Sequence, residues 1–301
     1  MRNAYIWLAA CVAGWFLFFA LAYAFPSSEL GSSYVVQAGS LLAGLVILMS
    51  IMLAGERPRF STTVRMLMFF GGAAAMLVPY MMNLQSPPLR ALATLGLLAA
   101  ALPVGYWIGD RIEKVTNLVP LAVAMSVADI YSVMHGPSRQ VGEQLLAHYH
   151  EVGTKIAELG SNPSVQDVAH TTASVRAPLA DFIVVHIPLA GLHTTVPVLG
   201  IGDFIALAFL FRVVWLHRLS ARGVFAAALL AIIAALSVSL FSSRVIPALP
   251  FIALGVVGWL LLSTPRLRRL DRQEVLLTIG VAALFGALML GKWAAGMFPG
   301  R

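Results

Sequence analysis

Residues 224–241 read VFAAALLAIIAALSVSLF, an uninterrupted stretch without a charge, a glycine or a proline. Its length is close to the roughly 20 apolar residues that a helix needs to cross a bilayer. Its apolar residues run continuously instead of alternating, so it reads as a helix and not as a barrel strand. Working outward, the same character returns in 197–215 and 245–263, and then along most of the chain. Spans are expected at 4–25, 34–54, 64–84, 89–109, 115–134, 197–215, 224–241, 245–263 and 275–297. The expected fold is an all-α polytopic membrane protein, a bundle of about nine transmembrane helices.

Composition leads to the same place. Of 301 residues, 59% are hydrophobic and 11% charged, and the mean hydropathy is +0.87. Soluble domains carry roughly 25% charged residues, so this chain has too little polar surface for a water-soluble globule. The net charge of +7 reads as topogenic arginine, not as a nucleic-acid surface. The single cysteine, Cys11, excludes intramolecular disulfides and cysteine-based metal cages. The first apolar run is long enough to be a span and lacks a small-x-small exit, so no cleaved leader is expected.

Lysine and arginine set the orientation. With the N-terminus cytoplasmic, the inner side collects Arg2, Arg57, Arg59, Arg65, Arg111, Lys114, Arg212, Arg218, Arg222, Arg266, Arg268, Arg269 and Arg272. The outer side receives Arg90, Arg244, Lys292 and Arg301, and three more fall in a long loop that counts for little in this rule. The loop, 135–196, is then outside. Within it Val141, Leu145, Tyr149, Val152, Ile156 and Leu159 recur at helical steps, and Gly160 with Pro163 supplies a stop. Three regions are expected: an N-terminal four-span bundle at 1–114, a core at 115–263 that carries the loop, and a C-terminal span at 264–301. Small residues such as Gly71-Gly72-Ala73-Ala74-Ala75 and Gly286–Gly291 suit close helix packing.

Of thirteen acids, Asp129 and Asp203 sit well inside spans. A carboxylate at the centre of a membrane helix costs about 2.5–3.5 kcal/mol on insertion scales, which makes it a functional candidate. At about 1.5 Å per residue, both lie roughly 7–9 Å below the outer surface. Two facing carboxyls hold one shared proton, so one can act as general base on water and the other as general acid toward a carbonyl. Gly200 and Gly202 precede Asp203 in Gly200-Ile201-Gly202-Asp203 and permit an irregular helix start. Pro247-Ala248-Leu249-Pro250 opens the eighth span on the same outer side and frees backbone groups that a cavity can use.

These motifs resemble those of the presenilin and signal peptide peptidase family of intramembrane aspartyl proteases. The match lies in Asp129 of Ala128-Asp129-Ile130-Tyr131-Ser132-Val133, the Gly200–Asp203 quartet, and Pro247-Ala248-Leu249, in the family's order and spacing across about residues 115–263. The family's tyrosine before the first aspartate is Ala128 here, and one span stands beyond the proline motif. The outward loop is similar to the signal peptide peptidase branch and opposite to presenilin. The resemblance implies a divergent, prokaryotic-like GxGD-type protease. Asp129 and Asp203 would be its catalytic pair, with Gly200, Gly202, Pro247, Ala248 and Leu249 shaping the site. It implies a substrate that is a single transmembrane helix, such as a signal-peptide remnant or a single-span protein, and no cofactor.

Other chemistry was weighed from the residues. Leu179–Pro188 (LADFIVVHIP) is β-branched and too short to span, so it is expected to pair as an edge strand with an unwound substrate. His148, His150 and Glu151 have poor ligand spacing on a helix, and His170, His186 and His193 lie scattered beyond them, so no metal is expected. His135 follows Asp129 by six residues and is a candidate for tuning its pH response. Asp181 is expected to stay outside the chemistry. No HExxH motif occurs. The alternative is a proton-coupled transporter or channel that uses Asp129 and Asp203 as a relay.

Overall fold

The structure is a computed structural model that describes residues 2–25, 33–56, 60–82, 86–158, 167, 171, 174–175, 177–190, 194–242, 246–265 and 271–297. Helices α1 (Arg2–Ala24), α2 (Tyr34–Gly55), α3 (Thr62–Met81) and α4 (Pro87–Gly109) come first. Then follow α5 (Leu118–His135) and α6 (Pro137–Glu158). After one helical turn at Leu179–Phe182, strands β1 (Val184–Leu189) and β2 (Thr194–Gly200) form an antiparallel hairpin. Helices α7 (Ile201–Leu216), α8 (Ala221–Ser242), α9 (Leu249–Ser263) and α10 (Arg272–Met297) complete the chain.

Among the described residues, six helical segments are long and apolar enough to cross a membrane: Tyr5–Ala24, Tyr34–Gly55, Thr62–Met81, Pro88–Gly109, Val115–Met134 and Ala221–Ser242. The chain is therefore a helical membrane protein. A helix lies at each of the nine expected segments, but among the described residues only the six named have the length and hydropathy of a span, and two differences are informative. The segment expected to span from 197 starts as strand, because Thr194–Gly200 carries Pro197, which holds the residue before it extended. The helix after it has only 16 residues. The segment expected from 245 becomes helical at Leu249, with Pro250 in its first turn, where a missing N–H costs nothing. That helix is 15 residues long. Gly160, Pro163, Leu159, His170 and His193 lie outside the described residues, as do the surroundings of Gly286 and Gly291.

The chain divides into two compact units, one of residues 1–109 and 141–215, the other of 110–140 and 216–301. In the first, α7 is the core. Phe204 and every residue from Ala206 to Val214 are buried, as suits a helix that is apolar on all sides. Glycines let its neighbours approach. A Cβ on Gly105 of α4 would lie 2.2 Å from the Ala208 Cβ, and a Cβ on Gly72 of α3 would lie 2.4 Å from the Gly96 carbonyl oxygen of α4. The Trp15 indole N–H of α1 donates to the Ala91 carbonyl of α4 at 3.3 Å. Strand β1 is sunk among these helices: Ile187 fills the space beside Gly44, and the Ala190 N–H donates to Ser40 Oγ at 3.2 Å. Helix α6 buries His148 and Val152 and turns Glu143, Gln144 and Glu151 outward, the expected amphipathic pattern.

In the second unit α5, α8, α9 and α10 pack together. One half of a capping box starts α10: the Asp271 N–H donates to Glu274 Oε2 at 2.8 Å, while Asp271 Oδ1 accepts the N–H of the next residue, Arg272, at 2.7 Å. Thr116 donates to the same Glu274 carboxylate and ties α10 to the turn that precedes α5. Leu240 and Phe241 at the end of α8 are 76% and 92% exposed, which suits side chains bathed in lipid.

Crowding beside α7 sets a test. Gly105→Ala is expected to lower stability by about 1–3 kcal/mol through overpacking. Gly14→Ala adds its methyl in open space on α1 and should stabilise by up to about 1 kcal/mol through helix propensity. Unfolding in detergent micelles measures both. Equal stabilities would contradict the close approach of α4 and α7.

Candidate functional site

Asp129 stands half-buried on α5, six residues before the helix ends at His135. Its Oδ2 accepts the Leu249 N–H at 3.1 Å. The reason lies in the local sequence of α9. The first N–H groups of a helix have no intrahelical partner. Ala248 at the N-cap has no side chain to accept one, and Pro250 has no N–H to offer. The cap is supplied from another helix, and a carboxylate at a helix N-terminus is favoured by the helix dipole as well as by the hydrogen bond. The structure therefore brings Asp129 together with Pro247-Ala248-Leu249.

Asp203 is the third residue of α7 and is also half-buried. Its Oδ2 accepts the Gly200 N–H at 3.0 Å, so the last residue of β2 holds the carboxylate that opens the helix. The Ile201 N–H donates to the Ile183 carbonyl at 3.1 Å and locks the helix start to the foot of β1. A Cβ on Gly200 would make only ordinary contact, 3.8 Å from Asp203 Oδ2, and one on Gly202 would meet nothing within 4 Å. Neither glycine is required by crowding inside this unit, and Gly202 borders open, exposed space. Asp129 belongs to the second unit and Asp203 to the first, each with its own backbone partner.

A third polar group was not expected to matter. Asp181, 2% exposed, accepts the Tyr149 hydroxyl at 2.8 Å and His186 Nε2 at 3.0 Å on Oδ1, and pairs with Arg90 Nη2 at 3.1 Å on Oδ2. Arg90 Nη1 also donates to Thr195 Oγ1 on β2 at 3.2 Å. One guanidinium on α4 thus grips both the turn before β1 and the strand β2. Arg90, Thr94, Asp181 and His186 border a recess of about 10 Å³, close to the least room one water needs.

Burial by itself would push the Asp181 carboxyl up. The hydrogen bonds from His186 and Tyr149 and the charge of Arg90 outweigh it and hold the group well below the usual carboxylate range. His186 is pushed down by burial, which its hydrogen bond to Asp181 and the charge of that carboxylate oppose. Burial, together with the Asp181 charge, pushes the Tyr149 hydroxyl up. Burial also lowers His148, which stacks edge-on to Tyr149. A charge set in the apolar run LADFIVVHIP was the available signal for this cluster. Its partner, Arg90, is 91 positions away and carries no local mark.

The expected pairing of Leu179–Pro188 with a foreign strand is corrected in part. Leu179–Phe182 is a helical turn, and β1 pairs with β2 along one edge. On its other side the His186 N–H reaches Thr94 Oγ1 of α4 at 3.5 Å. Among the described residues, no three His, Cys, Asp or Glu side chains are grouped to hold a metal ion. Comparison with family models, with curated proteins and with solved structures gave no match for this chain.

Two measurements follow from the cluster. Arg90→Met or Asp181→Leu alone is expected to cost about 3–5 kcal/mol by stranding a buried charge, while the double variant regains most of it. Singles and double of equal stability would show that the pair is not sealed from solvent. The second measurement is stability against pH. His186 and His148 bind protons more readily unfolded than folded, so stability is flat above about pH 6.5 and falls as the pH drops below it. Asp181 adds a further loss below about pH 4, where the unfolded carboxyl takes up a proton that the depressed folded one does not. His148→Gln with His186→Gln should flatten the melting temperature between about pH 6.5 and 5.

Proposed function

We propose that the protein is an intramembrane aspartic endopeptidase that hydrolyses peptide bonds within transmembrane segments, with Asp129 and Asp203 as its catalytic carboxyls. The observation that carries this reading is the hydrogen bond from Leu249 to Asp129. It joins an acid in a membrane helix to the Pro247-Ala248-Leu249 motif across 120 positions of sequence. An acid at that depth is costly, and its contact with the motif is what the resemblance to the presenilin and signal peptide peptidase family leads one to expect. The grip of Gly200 on Asp203 supports the reading from the other motif.

The chemistry needs a water, two carboxyls and one proton between them. The ionised carboxyl takes a proton from the water as its oxygen attacks the scissile carbonyl carbon. The protonated carboxyl gives its proton to the carbonyl oxygen. The resulting diol collapses as the nitrogen is protonated and leaves as an amine, and the pair returns to its starting charge. No cofactor enters this scheme.

The substrate's helix must open first, because its amides are internally bonded. With β1 covered on its outer side by α4, the edge left for an extended substrate is that of β2. That strand ends at Gly200, three residues before Asp203, and Gly202 beside it has space. The substrate class is a single transmembrane helix, a signal-peptide remnant or a single-span protein. The N-terminus is cytoplasmic and the 135–196 segment lies on the outer side, as the arginine distribution implies.

The test is cleavage of a labelled transmembrane peptide in proteoliposomes, read by mass spectrometry. Asp129→Asn and Asp203→Asn are expected to abolish cleavage with melting behaviour retained. Leu249→Pro removes the N–H that Asp129 accepts and should slow cleavage by about 10²-fold. Product from Asp203→Asn would overturn the assignment. Proton flux without proteolysis, lost in the same variants, would favour a proton-coupled transporter instead.

A further inference from the structure

The hairpin that ends at Gly200 is not held by its own ladder alone. It has only two strands, β1 and β2, with an irregularity between Val185 and His186, and each strand contains a proline that removes a donor (Pro188 and Pro197). Two-stranded hairpins of this kind are marginal unless packed. The fork of Arg90 supplies an external clamp, with one arm on Asp181 before β1 and the other on Thr195 in β2. Tyr149 from α6 and His186 from β1 close the remaining face of the Asp181 carboxylate. The clamp sits on α4, which also packs against α7 through Gly105. From β2 the constraint passes along the chain to Gly200, whose N–H holds Asp203, and to Ile201, whose N–H is tied back to Ile183.

We propose that Arg90 and Asp181 are positioning residues for Asp203: their ion pair, forked onto Thr195, fixes the β-hairpin and with it the backbone that sets the Asp203 carboxylate. Neither touches Asp203, and the effect travels through β2 and the Gly200 amide. This rests on the proteolytic reading for its consequence in catalysis, but the clamping of the hairpin does not. Loosening the fork lets β2 shift relative to Asp203. The expected signature is a slower chemical step with substrate capture retained, and a spread of cut positions in place of a narrow set.

The experiment uses the full chain with Cys11→Ser and Val196→Cys as background, carrying Arg90→Lys, Asp181→Asn or Thr195→Val. Lysine keeps the charge and loses the fork, and Thr195→Val removes one arm without stranding a charge. The first readout is the rate at which a water-soluble maleimide labels the single thiol introduced in β2, which needs no enzymatic activity. Each variant is expected to label about tenfold faster than the background while its melting temperature still shows a folded protein. The second readout is cleavage of the transmembrane peptide by Arg90→Lys, Asp181→Asn and Thr195→Val in the chain that keeps Cys11 and Val196, where kcat should fall about tenfold with KM changed less than about twofold. Unchanged labelling in all three variants would overturn the clamp, whatever the enzyme does. Faster labelling with kcat and cut positions unaltered would overturn the positioning role. If the unsubstituted chain cleaves nothing, the proteolytic reading fails on its own, and labelling still decides whether the fork holds the hairpin.

Discussion

A polar group inside an apolar, membrane-embedded chain has to find its partner within the chain, because lipid offers none. That constraint organises three acids. Asp129 takes the Leu249 N–H, Asp203 takes the Gly200 N–H, and Asp181 takes Tyr149, His186 and Arg90. In the first two cases the donor is a backbone amide left over where a helix begins, so the cost of the carboxylate and the cost of the orphan amide cancel each other. In the third the donors are side chains, and the result is a buried network centred on one ion pair.

The two backbone-held acids differ from the third in their surroundings. Asp129 and Asp203 are half-buried, and each carboxylate accepts a backbone N–H on its Oδ2. Asp181 is buried, with both oxygens engaged and its charge balanced by Arg90. A carboxylate held ionised this firmly is a poor proton donor, so its role is architectural. This separation follows from chemistry at each group and does not depend on which residues share a motif.

Much of this was legible in the sequence because it was local. Continuous apolar runs placed the helices, and the steps of three and four in Val141–Val152 placed the buried face of α6. Two acids within apolar runs, beside glycine and proline motifs, marked the candidate site. What was hidden was non-local or decided by short-range backbone chemistry. The stretch from 194 to 200 is as apolar as a helix, and only its Pro197 and β-branched residues told that the span would start as strand. The clamp around Asp181 joins α4, α6, β1 and β2, and no spacing rule connects Arg90 to a carboxylate that far along the chain. Gly105 looked like any small residue in a membrane helix until Ala208 was seen against it.

The same cluster changes how the arginines are to be counted. The orientation argument treated Arg90 as an outer surface charge, yet its side chain is only 11% exposed and is paired with Asp181. Arg212, counted inside, is likewise buried, with its guanidinium carbon 4.3 Å from the centre of the Tyr106 ring. The positive-inside bias depends on charges that resist translocation, and a buried cation that folds against an anion or an aromatic face contributes little to it. Setting both aside removes one charge from each side. The outer total is the smaller, so the proportional contrast between the sides grows. The proposed orientation, with α6 and the hairpin outside, therefore rests on basic residues at the helix ends and not on this buried pair.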